Sequence, residues 1–287
     1  EINRVSLKQR MSTLKKHPGS MVVFLLTIAA AVITVGVLGF LVIYVLVRGI
    51  PYLTPQLFAF TYTSDNVSMM PSIINTLLMT ALTLLVAVPL GVFAAIYLVE
   101  YAKNGSRLIA VVRVMAETLT GIPSIVYGLF GMLFFVGYCK WDYSLLSGAM
   151  TLAIMVLPVI MRTTEEALMA VPKSFREGSF GLGAGKLRTV FVIVLPSAVP
   201  GILSGIILAT GRIVGETAAL IYTAGTVAEA AGVMDSGRTL AIHMYSLSRE
   251  GLHTNEAYAT AVVLLIVVLL INGLSSLIAR KLEAATK

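Results

Sequence analysis

Residues 21–47 contain no charged side chain, and five further apolar blocks follow them along the chain. A bilayer's hydrocarbon core takes about 20 helical residues to cross, and within it each backbone N–H and C=O must find a partner inside the protein. The other blocks are residues 73–99, 123–138, 147–161, 197–222 and 257–278. This pattern predicts an all-α, polytopic membrane protein with about six transmembrane helices. The third and fourth blocks are short, and residues 108–122 either extend the third or lie along the interface. Composition agrees, with 57% of the 287 residues hydrophobic and only 12% charged. A soluble domain has too little polar material here to cover its surface.

The first block is too long for the apolar region of a cleaved signal and is expected to stay as a membrane helix. A net charge of +7 does not point to nucleic acid, because in such a chain the position of each charge matters more than the sum. With six crossings, 16 of the 21 basic residues fall on one side. They lie in residues 1–20, in the connection holding Lys103, Arg107 and Arg113, in residues 162–188, and at the C-terminal Arg280, Lys281 and Lys287. Arg48, Lys140, Arg238 and Arg249 fall on the other, and Arg212 lies within a span. The positive-inside rule then places both termini in the cytoplasm.

The chain is expected to form a basic cytoplasmic arm (residues 1–20) and one membrane domain (residues 21–287), which holds no separate soluble core. An outer connection at residues 223–256 contains Leu240, Met244 and Leu247 at helical spacing, so residues 238–248 are expected to form a small amphipathic helix over the outer mouth or against an outside partner. An inner connection covers residues 162–196. There Thr164 is placed to cap a turn with Glu165 and Glu166. After Pro172, Ser174 and Glu177 have capping-box spacing for a short helix ending in the glycine-rich residues 181–185.

That inner connection reads Glu177-Gly178-Ser179, three residues, Gly183, nine residues, Ile193, one residue, Leu195-Pro196. The spacing resembles the cytoplasmic EAA loop of ABC importer permeases, with Gly178 and Ser179 standing where the family usually has alanines. The resemblance widens through residues 89–91, 97–101, 121–128 and 211–225 to the phosphate-uptake permeases, which have alanine where Ile213 stands. It implies a type I ABC importer permease fold and a non-enzymatic transport subunit in which Glu177, Gly178, Ser179, Gly183, Ile193, Leu195 and Pro196 couple to a cytoplasmic ATPase dimer. ATP and magnesium are expected on that ATPase, with no cofactor on this chain. A second homologous permease, an extracytoplasmic phosphate-binding protein and membrane lipid are the other implied partners.

Arg212 and Glu216 stand out on physical grounds alone. A charged side chain deep in a span costs about 2.5–3.5 kcal/mol to insert and generally faces a cavity or a partner. Counted from Pro196, taken as the start of the span, Arg212 lies about 24 Å along the helix, past the midplane, and four residues of helical spacing put Glu216 on its face. A guanidinium suits a phosphate dianion. Arg212, Glu216 and Thr217 are therefore the expected substrate pathway, against the alternative of an ion pair that only fixes packing. Gly201, Gly205, Gly211 and Gly215 share this helix and are expected to permit close helix approach, with backbone surface along a pathway as the alternative. Glu117 either reaches the headgroups or forms a second polar site.

Other chemistry is thinly represented. Cys139 is a lone thiol, and His243 and His253 lack metal-ligand spacing. Gly185-Lys186 resembles the end of a phosphate-binding loop, but Phe180 and Leu187 occupy positions that require glycine and Ser or Thr. A permease for another oxyanion, such as molybdate or sulfate, and a membrane-embedded enzyme are the rival functions. The latter needs a nucleophile or acid/base pair that the sequence does not offer.

Overall fold

The computed structural model describes residues 18–102 and 107–286, so most of the basic arm lies outside the described residues. The long helices are α1 (Pro18–Gly49), α2 (Met70–Tyr101), α5 (Leu145–Ala170), α7 (Lys186–Gly215) and α10 (Thr254–Thr286). Shorter ones are α3 (Arg107–Thr120), α4 (Ser124–Tyr138), α6 (Lys173–Gly181), α8 (Ala218–Ile221) and α9 (Leu240–Glu250). No strand occurs among the described residues.

Five helices are long and apolar enough to cross a membrane, or six with α3 and α4, bent by 102° at their junction, counted as one span. The bend follows from Gly121-Ile122-Pro123, because Pro123 cannot continue a helix and instead adopts the extended conformation that starts α4. Residues 108–122 therefore do not extend the crossing in line but form a separate amphipathic helix, on which the Glu117 side chain is 71% exposed.

Packing at the glycines sets the register. Gly148 faces Met79 and Gly91 faces Ile160, so α2 and α5 run parallel. Gly201 faces Ala167 and Gly205 faces Thr163, so α7 runs antiparallel to α5. Leu152, Met155, Val156 and Ile160 fill the seam between these helices and are at most 1% exposed. By contrast the apolar window of α1 has no buried residue, as expected of a helix facing lipid, and its end packs on α10, at Gly49 and at Tyr44 against Tyr258.

The fourth and fifth crossings differ from the sequence expectation. The fourth does not end near Met161 but continues to Ala170, so Thr164 lies mid-helix and caps nothing. The reason is a second layer of charge. Glu165 pairs with Arg113 of α3, and Arg162 pairs with Glu117 at 3.7 Å and Glu166 at 3.2 Å. Glu165 and Arg162 therefore have partners on α3, Glu166 has one within α5, and the helix runs on through all three.

The fifth begins at Lys186, ten residues before Pro196, because Val190–Val194 forms a wider π turn that carries the helix into the proline. At its far end the helix stops at Gly215 rather than continuing to Tyr222.

Candidate functional site

Two constellations sit at different heights in the bundle. The first lies beyond the C-terminal end of α5. Pro172 precedes α6 and makes no side-chain cap, so the predicted Ser174–Glu177 capping box does not form. Helix α6 closes through Gly183, whose φ of +80° favours glycine and whose N–H donates to the Phe180 carbonyl at 2.9 Å.

Glu177, Gly178 and Gly183 are exposed, whereas Ile193, Leu195 and Pro196 are half-buried in the root of α7. Ser179 is 5% exposed, and its hydroxyl meets that of Thr189 at 2.8 Å. A serine in place of alanine thus ties α6 to α7. Phe175, Phe180, Leu182 and Leu187 surround this helix as exposed apolar side chains, with Leu182 at 90%.

Sequence reasoning missed the residue that holds α6 in place. Arg176 donates to Glu100 at 2.6 and 3.0 Å, to the Val171 carbonyl at 2.9 Å and to the Leu168 carbonyl at 2.9 Å. One guanidinium thereby joins the ends of α2 and α5 to α6. The isolated Glu100 at the end of an apolar block, with a basic residue beside Glu177, was the available signal.

The second constellation is the break after α7. Glu216 is extended (φ −73°, ψ 130°) and Thr217 follows it before α8 begins. Arg212 and Glu216 therefore do not share a helix face, since the helix on which that spacing relied has ended. Arg212 lies in the last turn of α7, where a cation complements the carbonyl end of the helix dipole. Glu216 accepts the Ala219 N–H at 3.1 Å and so satisfies the start of α8. Both side chains are half-buried, and neither forms an ion pair among the described residues.

The antiparallel register set by Gly201 and Gly205, extended two turns, brings Arg212 about level with Val156, near the middle of α5. It is therefore more central than a count from Pro196 implies. The four glycines divide into two roles. Gly201 and Gly205 press against α5, while a side chain built at Gly211 or Gly215 would meet nothing within 4 Å. The end of α7 beside Arg212 thus presents a bare backbone face. Thr217 lines a cavity of about 630 Å³ with Ile125, Tyr222, Tyr245, Arg249 and Tyr258.

No cluster of metal-ligating side chains occurs among the described residues. Cys139 is free and half-buried at the end of α4. His253 lies 3.8 Å from Glu256, and His243 is buried elsewhere.

Five or six apolar crossings, an exposed short helix at one end and two half-buried charged residues at a mid-bundle helix break define a multi-pass membrane transport component. The chain belongs to the binding-protein-dependent transport system inner membrane component family, whose model matches residues 87–287. It is therefore an ABC importer permease. It is 33% identical over 283 residues to the probable ABC transporter permease protein YqgI of Bacillus subtilis, covering 90% of this chain and 95% of that one.

It is also 38% identical over 179 residues to the phosphate transport system permease protein PstA of Pasteurella multocida. That match takes in 62% of this chain and 63% of PstA. Among solved structures, a permease chain of a bacterial alginate ABC transporter, crystallised with an alginate-bound periplasmic protein, superposes with a TM-score of 0.66 at 15% identity. The superposition covers 94% of this chain and 98% of that one, and it shows the type I importer permease fold.

Proposed function

We propose that this chain is a permease subunit of an ATP-driven importer of inorganic phosphate. The observation that carries it is the half-buried Arg212 and Glu216 at the α7 break, beside the uncovered face of Gly211 and Gly215. An anion leaving water needs replacement donors and charge, and a guanidinium supplies both. The likeness to PstA supports phosphate as the anion. A second permease closes the path over the bare end of α7, and an extracytoplasmic binding protein delivers the ion. Two ATPase subunits, carrying ATP and magnesium, engage α6 through Glu177, Gly178 and Gly183 and the apolar side chains around them. Both termini then lie in the cytoplasm.

The test is transport by the assembled complex in proteoliposomes. Arg212→Gln is expected to abolish phosphate uptake while the subunits still co-purify, and Arg212→Lys to keep a trace, since charge survives without the planar fork. Restored assembly and uptake in the double variant Arg212→Gln, Glu216→Gln would instead mark a structural pair. Stimulation of the ATPase by molybdate or sulfate in place of phosphate would reassign the substrate to another oxyanion.

A further inference from the structure

The loop before α9 buries a cation without an acid. Arg238 is 5% exposed, and its Nε and Nη2 are shut from solvent with no hydrogen-bond partner. Its guanidinium carbon lies 4.5 Å over the Tyr62 ring, and His243 meets the same ring edge-on at 6.3 Å. Thr239 Oγ1 and both His243 nitrogens are buried and unpartnered alongside it. Ser72 Oγ, one turn from the Thr76 hydroxyl that accepts the Leu240 N–H, is in the same condition. An aromatic face offsets only part of a buried charge, and most of the unpartnered atoms here are donors.

Arg238 also lines a cavity of about 370 Å³ with Arg249, Thr226, Tyr245, Ser246 and Glu250. Ile221, Tyr245 and Arg249 are shared with the larger cavity that reaches Thr217. The two cavities therefore adjoin, and the larger reaches Thr217 just past the α7 break.

We propose that Arg238 and Arg249 form a separate binding site for a small oxyanion at the mouth of the permease, one stage before Arg212, an assignment that rests on the function proposed above. Two guanidinium groups against the single carboxylate of Glu250 leave the site net positive. Glu250 opposes a fully ionised anion but accepts a hydrogen bond from one that still carries a proton, as phosphate does near neutral pH. Thr226, Tyr245 and Ser246 line the cavity beside the two arginines, and their hydroxyls can donate to oxygen acceptors.

The experiment places the full-length chain in nanodiscs of a phosphate-free galactolipid and follows inorganic phosphate by 31P line broadening. Saturable broadening is expected, with affinity weakened about tenfold by Arg238→Gln and also by Arg249→Gln. Arg249 is exposed, so its variant tests the site even where loss of Arg238 disturbs folding. Equal affinity in the wild type and both outer variants overturns the proposal. Loss with Arg212→Gln alone puts the ion at the α7 break, which removes the outer site but leaves the phosphate assignment standing. Displacement of phosphate by phosphatidylglycerol discs identifies a lipid headgroup as the occupant and also overturns the relay. Intact outer binding in an assembled transporter that moves no phosphate contradicts the proposed substrate rather than the site.

Discussion

Arg176 holds Glu100 through two N–H groups at 2.6 and 3.0 Å, with the pair 18% and 8% exposed, and the same guanidinium closes two carbonyls at the end of α5. Helix α6 is thus tied at one point to two crossings. A push on α6 is delivered to α2 and α5 together.

Removing that joint is expected to separate nucleotide turnover from transport. Arg176→Leu leaves Glu100 buried without its counter-charge, a loss of about 3 kcal/mol for a pair this enclosed. The thermal midpoint of the detergent-purified chain should fall. In the assembled transporter, ATP hydrolysis should persist without substrate stimulation. The double variant Arg176→Leu, Glu100→Leu should recover much of the midpoint without recovering stimulation. Recovery of both would reduce the pair to a packing element.

The glycines of α7 allow a stability test with an internal control. A Cβ at Gly205 would lie 2.7 Å from Thr163 Cβ, and Thr163 is anchored by its hydroxyl to the Val159 carbonyl at 2.9 Å. Gly205→Ala is therefore expected to cost about 1–3 kcal/mol by overpacking. Gly211→Ala meets nothing and should leave the isolated chain's midpoint unchanged or slightly higher, since alanine is the better helix former. Equal effects at the two positions would mean that α7 does not pack on α5 in this register.

The crossings were legible in the sequence because insertion in lipid depends on the composition of each block, and residues 21–47 or 257–278 need no tertiary information to declare themselves. Gly183 was legible for a similar reason, since a glycine following a short helix marks a turn whatever surrounds it. The helix ends were not. Arg162 and Glu165 are polar enough to leave the span, and α5 runs on through them where α3 folds back and presents Glu117 and Arg113. The break at Glu216 was hidden because no proline marks it and helical spacing runs on through residues 218–221. Only the docking of α8 against Gly128 shows that the helix has stopped. The same event separates Arg212 from Glu216, so the relation that helical spacing implied between them was not legible.

Topology is testable at two side chains that the fold leaves bare at opposite ends of the bundle. Leu182 is 90% exposed beyond α6 and Leu252 is 83% exposed between α9 and α10. With Cys139→Ser as background, Leu252→Cys is expected to react with an impermeant maleimide in intact cells. Leu182→Cys should react only after permeabilisation. The reverse pattern would invert the orientation inferred from the basic residues.

The last prediction concerns His243, which is fully buried in α9 outside the crossings and faces Arg238 and the Tyr62 ring edge. Burial, and then the Arg238 charge, push its imidazole from 6.5 down to about 3, so the folded protein keeps it neutral through the mildly acidic range. The unfolded chain takes up a proton as pH falls below 6.5, and the folded one does not. Unfolding is then favoured by up to about 1.4 kcal/mol for each pH unit below that point, and the stability is fully present above it. The midpoint of the purified chain should decline from pH 6.5 to 5, a window above most carboxylate titration. His243→Gln should flatten that decline, because glutamine takes up no proton in this window. A decline of the same slope in the variant would assign the acid sensitivity to another group and show that the imidazole is not held neutral at this position.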